Sequence, residues 1–315
     1  MRLRPSLLRF ARATDRHLLA LLPICRNLQS ARNELRWLKE HAREQSPDGS
    51  RPLFGQYVRR RALGEPLQYI LGSEYFGNLK IKCRPGVLIP RHRLKASTML
   101  DTVGIDVSKT ALQLAEDNLA TQIRLQRATK TDEGTRRESL EHLKFLKADV
   151  MRKEDDTTSV VRALRQHTDL PLAPEFDVLI SNPPYISTKA FSTTTARSVR
   201  QFEPKLALVP RSSDSTGSRH EGDVFYPRIV ALADELQAKV MLLEVADMEQ
   251  ALRVAAIVSR SHWDGVEIWR DEPATASLST VTIGDSTVKV RGDGHGRSVF
   301  AYRGTATSWL GSQFL

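Results

Sequence analysis

The sequence predicts an α/β fold in which a mostly parallel sheet follows a helical domain. Leucines recur at three- and four-residue steps over residues 14–72, which is the spacing of amphipathic helices. Residues 74–88 alternate in polarity and contain turn residues, which indicates a short hairpin. From residue 104 onward, strand-like and helical segments alternate, as in a parallel sheet covered on both faces. We therefore predict three regions: a helical domain over 1–72, a hairpin linker over 73–103 and a sheet domain over 104–315.

The strands of the predicted sheet are short apolar runs that end at polar residues. These runs lie at residues 104–107, 143–148, 176–181 and 240–245. Ser108 is expected to cap a helix that runs through Leu119, and residues 224–236 are expected to form another helix. Residues 280–302 have the pattern of antiparallel strands. Three polar segments are predicted to be loops: 127–141, 187–198 and 212–219.

The composition is that of a globular protein, with 40% hydrophobic and 27% charged residues. A net charge of +10 suits an acidic partner such as RNA, a ribonucleoprotein or an acidic protein, although it also serves solubility. The basic residues are not interleaved with aromatic ones, which argues against a base-stacking surface. Cys25 and Cys83 form neither a disulfide framework nor a zinc spacing, so no metal is expected. No apolar run is long enough to span a membrane, so no membrane contact is expected.

The first sixteen residues contain five arginines and a single acidic residue, Asp15. An arginine-rich, acid-poor N-terminus is typical of a mitochondrial transit peptide. The alternative is a basic first helix of the folded protein in the cytoplasm. The sequence therefore predicts a mitochondrial location, with the cytoplasm as the alternative.

A site is expected where the strand at residues 176–181 leads into Asn182-Pro183-Pro184-Tyr185. In open α/β sheets, ligands bind at the carboxyl ends of the strands. The Asn182 side-chain oxygen and the Pro183 carbonyl can both accept hydrogen bonds from an NH2 group, which orients a poorly nucleophilic nitrogen. The prolines stiffen the turn, and the Tyr185 ring can pack on a flat substrate group. The alternative is a rigid turn without a catalytic role.

Two carboxylates end strands of the same predicted sheet. Asp106 precedes a capped helix, where a carboxylate can accept both ribose hydroxyls of a nucleoside. Asp149 ends the next strand, where it can contact an adenine amino group. The alternative for both residues is that the carboxylate only caps backbone N–H groups of the segment that follows the strand.

Motifs along most of the chain resemble those of HemK-type protein-(glutamine-N5) methyltransferases, in the same order. The similar blocks are GEPLQYILG at 64–72, FG at 76–77, VLIPR at 87–91, GIDVS at 104–108, NPPY at 182–185, FEP at 202–204, LEV at 243–245 and residues 293–302. Ordered blocks over this length are far more specific than the four-residue NPPY motif alone.

The resemblance implies a Rossmann-like catalytic domain and an N-terminal helical domain that recognises the protein substrate. It implies methyl transfer from S-adenosyl-L-methionine to the glutamine side chain of a Gly-Gly-Gln motif in a peptide-chain release factor. By matching position, Asn182, Pro183 and Tyr185 are the expected catalytic residues, and Pro184 joins them in binding the substrate. Asp106, Asp149 and Asn182 are expected to line the cofactor pocket.

The sequence departs from the family's pattern in one place. The family has a first strand, a glycine-rich turn and a helix before the Ile-Asp strand, which takes on the order of 30 residues. Here only residues 92–102 separate Arg91 from Val103, and none of them is glycine. The expected fold is therefore a Rossmann-like sheet whose first strand and glycine loop are missing. Three explanations are open: a coding segment absent from this sequence, a natural pseudoenzyme, or a different arrangement for the cofactor.

The segment Gly292-Asp293-Gly294-His295-Gly296 has the glycine spacing of a nucleotide-binding loop. It lies between strand-like runs at 288–291 and 299–302, and no helix follows it. We therefore predict a hairpin turn here and no cofactor loop.

The function predicted from the sequence is glutamine methylation of a release factor, with activity reduced or lost in this truncated form. One alternative is an amino-methyltransferase acting on adenine or cytosine in nucleic acid, since the NPPY chemistry also suits those exocyclic amines. The linker block and the lack of a target-recognition domain make nucleic acid the weaker choice of substrate. The other alternative is a non-catalytic binder of the release factor.

Overall fold

The computed structural model describes residues 3–47, 52–76, 79–89, 101–128, 140–153, 155–167, 175–211 and 220–309. Its contacts divide the chain into two units. The first consists of Met1–Asp101, Gln113–His142 and Thr195–Pro204. The second consists of Thr102–Leu112, Leu143–Thr194 and Lys205–Leu315.

The first unit begins with helices whose leucines form a common core. The helices are α1 (Pro5–Thr14), α2 (Arg16–Cys25), α3 (Leu28–Gln45), α4 (Leu53–Ala62) and α5 (Leu67–Leu71). Leu21, Leu22 and Leu38 are fully buried in this core, so the leucine spacing is confirmed as the buried stripe of a helical region. The side chains of Asp15 and Asn27 cap α2 and α3 by accepting hydrogen bonds from backbone N–H groups of the first turn.

The predicted hairpin is confirmed as the antiparallel strands β1 (Ser73–Phe76) and β2 (Leu79–Lys82). Its second strand is shorter than predicted. The long helix α6 (Lys109–Ala128) supplies side-chain partners for β2: Asn118 accepts a 2.7 Å hydrogen bond from Lys82 N–H, and Gln122 donates one of 2.8 Å to the Lys80 carbonyl. These bonds satisfy backbone groups that an edge strand leaves open.

The strands of the second unit form two sheets. They are β3 (Thr102–Asp106), β4 (Leu143–Lys147), β5 (Val178–Ser181), β6 (Val240–Glu244), β7 (Gly265–Glu272), β8 (Leu278–Ile283), β9 (Ser286–Arg291) and β10 (Asp293–Tyr302). In the described part of the chain, β3 and β4 form a parallel pair, and the other six have the order β5-β6-β10-β7-β9-β8. The strands β5 and β6 are parallel, whereas β10 is antiparallel to β6 and β7. The α/β class is therefore confirmed.

The remaining helices are α7 (Val160–Gln166), α8 (Thr188–Thr193), α9 (Arg197–Phe202), α10 (Phe225–Glu235), α11 (Met248–Val258) and α12 (Ala306–Trp309). The helix α9 belongs to the first unit, and the other five belong to the second. Of these five, α7, α10, α11 and α12 pack on the strands. Buried residues of α10, α11, β6 and β10 share one apolar cluster, which includes Tyr226, Met241 and Val254. A second cluster joins β3, β4, α7, β5 and α10 through residues such as Val103, Leu164 and Leu179. The two sheets therefore have a common apolar cluster on one side.

Two predictions about connections are wrong. The segment 187–198 contains helix α8 and the start of α9, because its hydroxyl groups bond within the helix: Ser187 caps α8, and Ser192 donates to the Thr188 carbonyl.

The glycine-rich segment at 292–296 is not a hairpin turn. Gly292 separates β9 from β10, and β7 lies between those strands in the sheet. The sequence pattern also missed β7.

Several predictions fall outside the described residues. These are the Pro90-Arg91 end of the linker motif, most of the polar segment 127–141, and the polar segment 212–219. Among the helices that the structure describes, none has the length and apolar character needed to cross a membrane.

Candidate active site

The Asn182–Tyr185 corner lies at the carboxyl end of β5, where the sequence predicts a site. Asn182 is exposed, Pro183 is buried, and Pro184 and Tyr185 are half-buried. The burial of Pro183 fixes the corner to the protein, while the Asn182 amide remains open to a partner from solution. The structure thus brings the four predicted residues together with the amide on the accessible side.

The Tyr185 side chain is fixed by the neighbouring strand. Its hydroxyl donates a 2.8 Å hydrogen bond to Oε1 of Glu244, the last residue of β6. The Glu244 carbonyl accepts a second 2.8 Å hydrogen bond from the hydroxyl of Tyr226, which is fully buried. Burial raises the pKa of the Tyr226 hydroxyl far above its usual range, so this hydroxyl stays a donor. The end of β6 and the corner are therefore joined by polar contacts.

Contacts also hold the chain just after the corner. The Ile186 N–H donates a 2.9 Å hydrogen bond to the Leu208 carbonyl. The Thr188 N–H and hydroxyl both donate to the carboxylate of Glu221. Thr188 is the first residue of the short helix α8. The corner is thus anchored on its downstream side as well.

Asp106 ends β3, as predicted, and its Oδ1 accepts a 2.7 Å hydrogen bond from the Ser108 N–H. The surrounding protein partly removes the carboxylate from water and raises its pKa, while backbone hydrogen bonds from Ser108 and Val107 act in the opposite direction. Ser108 caps α6, as predicted, because its hydroxyl accepts a 3.3 Å hydrogen bond from the Ala111 N–H. These local bonds do not exhaust the acceptor capacity of a carboxylate, which has about four lone-pair sites.

Asp149 follows β4 and has local partners on both carboxylate oxygens. Its Oδ1 accepts a 3.0 Å hydrogen bond from the Met151 N–H, and its Oδ2 lies 3.6 Å from Nε of Arg152. The Ala148 N–H donates to the Asp106 carbonyl, so Asp149 and Asp106 lie at the same edge of the β3–β4 pair. The structure therefore places the predicted site residues in two groups, the two carboxylates at one strand pair and the corner at the end of β5.

Sequence reasoning missed Glu244 and Tyr226 as neighbours of the corner. Glu244 carried a usable signal, because it is a polar residue at the end of an apolar strand, and the same rule selected Asp106 and Asn182. Tyr226 carried none, since its position among apolar residues of α10 is typical of core packing.

Comparisons with known proteins bear on this geometry. The model of the Eco57I restriction-modification methylase family matches residues 101–209, which include β3, β5 and the corner. The mitochondrial MRF1 N(5)-glutamine methyltransferase MTQ1 of Saccharomyces cerevisiae is 33% identical to this chain, over 66% of this chain and 68% of its own length. This chain belongs to the HemK-type glutamine methyltransferase family.

Other members of the HemK-type family are similar over comparable lengths. The probable MRF1 mitochondrial N(5)-glutamine methyltransferase mtq1 of Schizosaccharomyces pombe is 27% identical over 78% of this chain and 86% of its own length. The release factor glutamine methyltransferase of Nitratidesulfovibrio vulgaris is 29% identical over 70% of this chain and 73% of its own length. The resemblance read from the motifs is thus confirmed, and this chain is a glutamine methyltransferase by family.

Proposed function

We propose that this HemK-type chain transfers a methyl group from S-adenosyl-L-methionine to a glutamine side-chain amide in the Gly-Gly-Gln motif of a peptide-chain release factor. The observation that carries the proposal is the Asn182–Tyr185 corner. It sits at a strand end with an exposed amide, a buried proline and an anchored tyrosine, in a chain whose relatives are named for this activity.

The residues of the corner suit the chemistry of an amide acceptor. An amide nitrogen is a weak nucleophile because its lone pair is delocalised into the carbonyl group. We assign the Asn182 oxygen and the Pro183 carbonyl as acceptors of the two N–H groups of the glutamine, which would hold the nitrogen in one orientation. The new carbon–nitrogen bond would form as the methyl carbon–sulfur bond of the donor breaks, which leaves a neutral thioether, and the nitrogen would release one proton to solvent. The methyl donor, when bound, supplies an electrophilic carbon to the oriented nitrogen.

The residues that we assign to the cofactor would bind its nucleoside end only. Asp106 and Asp149 lie at one edge of a parallel strand pair, where carboxylates can bind the ribose and adenine of a nucleoside. A glycine turn for the methionine carboxylate is absent from the sequence between Arg91 and Gly104. We therefore assign Asp106, Asp149 and Asn182 to the cofactor side, and we assign no residue to the methionine carboxylate.

Exposed apolar residues support a missing central strand. Val178 and Ile180 of β5 are 48% and 52% exposed, and Ile105 of β3 is 36% exposed. The strands of a parallel sheet are normally buried on both faces and read as apolar runs. Apolar side chains exposed on both β3 and β5 fit the loss of a strand–turn–helix segment, whose helix would cover one face of these strands.

The alignment with the Schizosaccharomyces pombe relative supports the same conclusion. It extends over 297 positions, whereas 78% of the 315 residues of this chain is only about 246 residues. The remaining aligned positions hold a residue in the relative and none in this chain. We propose that a strand–turn–helix segment between Arg91 and Gly104 is among them.

The partner and location follow from the same relatives. We propose that the helical domain at 1–72 recognises the release factor, that 73–103 is a linker and that 104–315 is catalytic.

Two of the similar proteins are named as mitochondrial, which supports the location predicted from the arginine-rich N-terminus. Import of the full chain into isolated mitochondria tests the location, and failure of import would contradict it.

A substrate comparison tests the proposed activity. The chain, at millimolar S-adenosyl-L-methionine, is incubated with a release factor, with its variant in which the glutamine of the Gly-Gly-Gln motif is replaced by alanine, and with DNA and RNA. We expect one methyl group on that glutamine and none on the other three substrates, measured by mass spectrometry. Methylated nucleic acid would overturn the proposal.

The second candidate is a non-catalytic binder of the release factor, which the missing segment favours. It requires tight binding of the release factor without any methyl transfer at millimolar donor. The same experiment with a pull-down of the factor separates the two functions, because the binder leaves the glutamine unmodified.

A further inference from the structure

We propose that Gln250 is a positioning residue that sets the orientation of the Asn182–Tyr185 corner, and that Asp223 and Arg253 hold Gln250 in the required orientation. The inference rests on the proposed function, because it concerns the same corner. Gln250 lies on α11 and is only 3% exposed. A buried amide of this kind is normally fully hydrogen-bonded, so its partners show what it positions.

The peptide group between Tyr185 and Ile186 is held at both ends. Gln250 Nε2 donates a 3.3 Å hydrogen bond to the Tyr185 carbonyl. The N–H of the same peptide group donates to the Leu208 carbonyl. Because a peptide group is planar, the two bonds together fix the plane in which the chain leaves the corner.

The Gln250 amide has one possible orientation. Its Oε1 accepts a 2.8 Å hydrogen bond from the Ala246 N–H. Its Nε2 faces three oxygen acceptors, the carbonyls of Tyr185 and Gly222 and Oδ1 of Asp223, at 3.3, 3.1 and 2.9 Å. Rotation of the amide by half a turn would place its oxygen against these three oxygens and remove the amide donor from all of them.

An ion pair fixes the acidic member of this network. Arg253 donates to Asp223 through Nε at 2.6 Å and through Nη2 at 3.1 Å. Asp223 is 5% exposed, so the fork of Arg253 compensates its charge and also aims Oδ1 at Gln250. The pair thereby keeps an acceptor on the NH2 side of the Gln250 amide.

Gly222 allows the network to approach the corner. A Cβ atom at this position would overlap the Tyr185 carbonyl oxygen and lie 3.1 Å from Gln250 Nε2. Only glycine leaves room for the backbone of the 3-10 turn Glu221–Asp223 beneath the corner. The close contact between this turn and the corner therefore depends on glycine at position 222.

The effect of Gln250 reaches the substrate acceptors through the two prolines. Proline fixes its own φ angle, so few rotatable bonds separate the held Tyr185 peptide from the Pro183 carbonyl. Glu244 restrains the Tyr185 side chain at the same time. Loss of the Gln250 bond frees the carbonyl side of that peptide and allows the acceptor of the glutamine NH2 to rotate away from its productive direction.

The test compares Gln250→Met with two matched variants of the full chain. Methionine keeps the length of the side chain and removes its hydrogen bonds. Val258→Ala removes buried methyl groups from the same helix, and Gln166→Met makes the same substitution at an exposed position of α7. Each variant is measured for kcat/KM with the release factor, for Tm, and for hydrogen exchange at the Ile186 amide.

We expect Gln250→Met to lower kcat/KM by about 10-fold to 100-fold, since small misplacement of reacting groups has effects of that size. It is also expected to speed exchange at Ile186 by at least tenfold. Val258→Ala is expected to lower Tm with little change in kcat/KM, and Gln166→Met to change neither. Asp223→Asn weakens the hold on Gln250 and is expected to change kcat/KM and Ile186 exchange in the same direction, but by less. If Gln250→Met does not fold, Asp223→Asn takes its place in the test.

Two results overturn the inference. One is parental kcat/KM and parental Ile186 exchange in a folded Gln250→Met or Asp223→Asn variant. The other is that Val258→Ala and Gln250→Met have the same Tm and lose the same fraction of kcat/KM, because Gln250 then has a purely structural role. If the parent chain shows no methyl transfer, the proposed function is contradicted and this inference is not. Hydrogen exchange at Ile186 then decides whether Gln250 holds the corner.

Discussion

Replacement of Asn182 by alanine is expected to lower methyl transfer by about 100-fold or more, the size seen when one preorganised polar group is removed from an active site. The substitution removes the side-chain oxygen proposed to accept the glutamine NH2. Because Asn182 is exposed, the free energy of unfolding is expected to change by no more than about 0.5 kcal/mol. Initial rates at millimolar S-adenosyl-L-methionine, together with thermal denaturation, measure both effects.

Asn182→Asp is the matched control for this prediction. Aspartate keeps an acceptor oxygen at the same place, but it replaces the NH2 group with a second oxygen and adds a negative charge, so its rate is expected to lie between those of the parent and Asn182→Ala. Equal rates for the parent and the alanine variant would show that Asn182 has no part in the reaction.

S-adenosyl-L-methionine is expected to bind this chain with a Kd weaker than micromolar. The two carboxylates are proposed to hold the nucleoside, but residues 92–103 contain no glycine for a turn whose backbone donors would bind the methionine carboxylate. Without those backbone donors the zwitterionic end of the cofactor stays in water. Isothermal titration calorimetry measures the affinity directly, and a micromolar or tighter Kd would contradict the expectation.

An insertion variant tests the cause of the weak binding. The segment that we propose the Schizosaccharomyces pombe relative has in excess between Arg91 and Gly104 is inserted before Thr102. We expect at least about tenfold tighter cofactor binding, equivalent to about 1.4 kcal/mol. A flexible glycine–serine insert of equal length is the control and is expected to have no effect. Equal affinity of both insertion variants would show that the missing segment is not the cause.

The strand ends of the site could be predicted from the sequence because each depends on local pattern alone. An apolar run followed by a polar residue identifies the ends of β3 and β5, and both Asp106 and Asn182 lie there. The cap of α6 by Ser108 is local in the same sense. These features need no knowledge of which distant segments meet.

Contacts between distant segments could not be predicted in this way. The bond of Tyr185 to Glu244 and that of Gln250 to the Tyr185 carbonyl join residues more than fifty positions apart. The glycine-rich segment at 292–296 shows the same limit. Its pattern is that of a hairpin turn, but β10 pairs with β6 and β7, and only the tertiary fold determines that choice.

Composition misled the prediction for residues 187–198. Serine and threonine compete with helix formation when their hydroxyls bond the backbone in extended or turn conformations. Here the hydroxyls bond carbonyls one turn earlier or cap a helix, as Ser187 and Thr193 do, so the segment is helical. Composition alone does not distinguish these two uses of a hydroxyl group.

The most direct test of the central claim is a crystal structure of this chain bound to a glutamine-containing peptide from the release factor. We expect the glutamine amide nitrogen to lie within hydrogen-bonding distance, about 2.7–3.2 Å, of both Asn182 Oδ1 and the Pro183 carbonyl oxygen. A peptide whose glutamine binds elsewhere, with the corner facing solvent, would contradict the account.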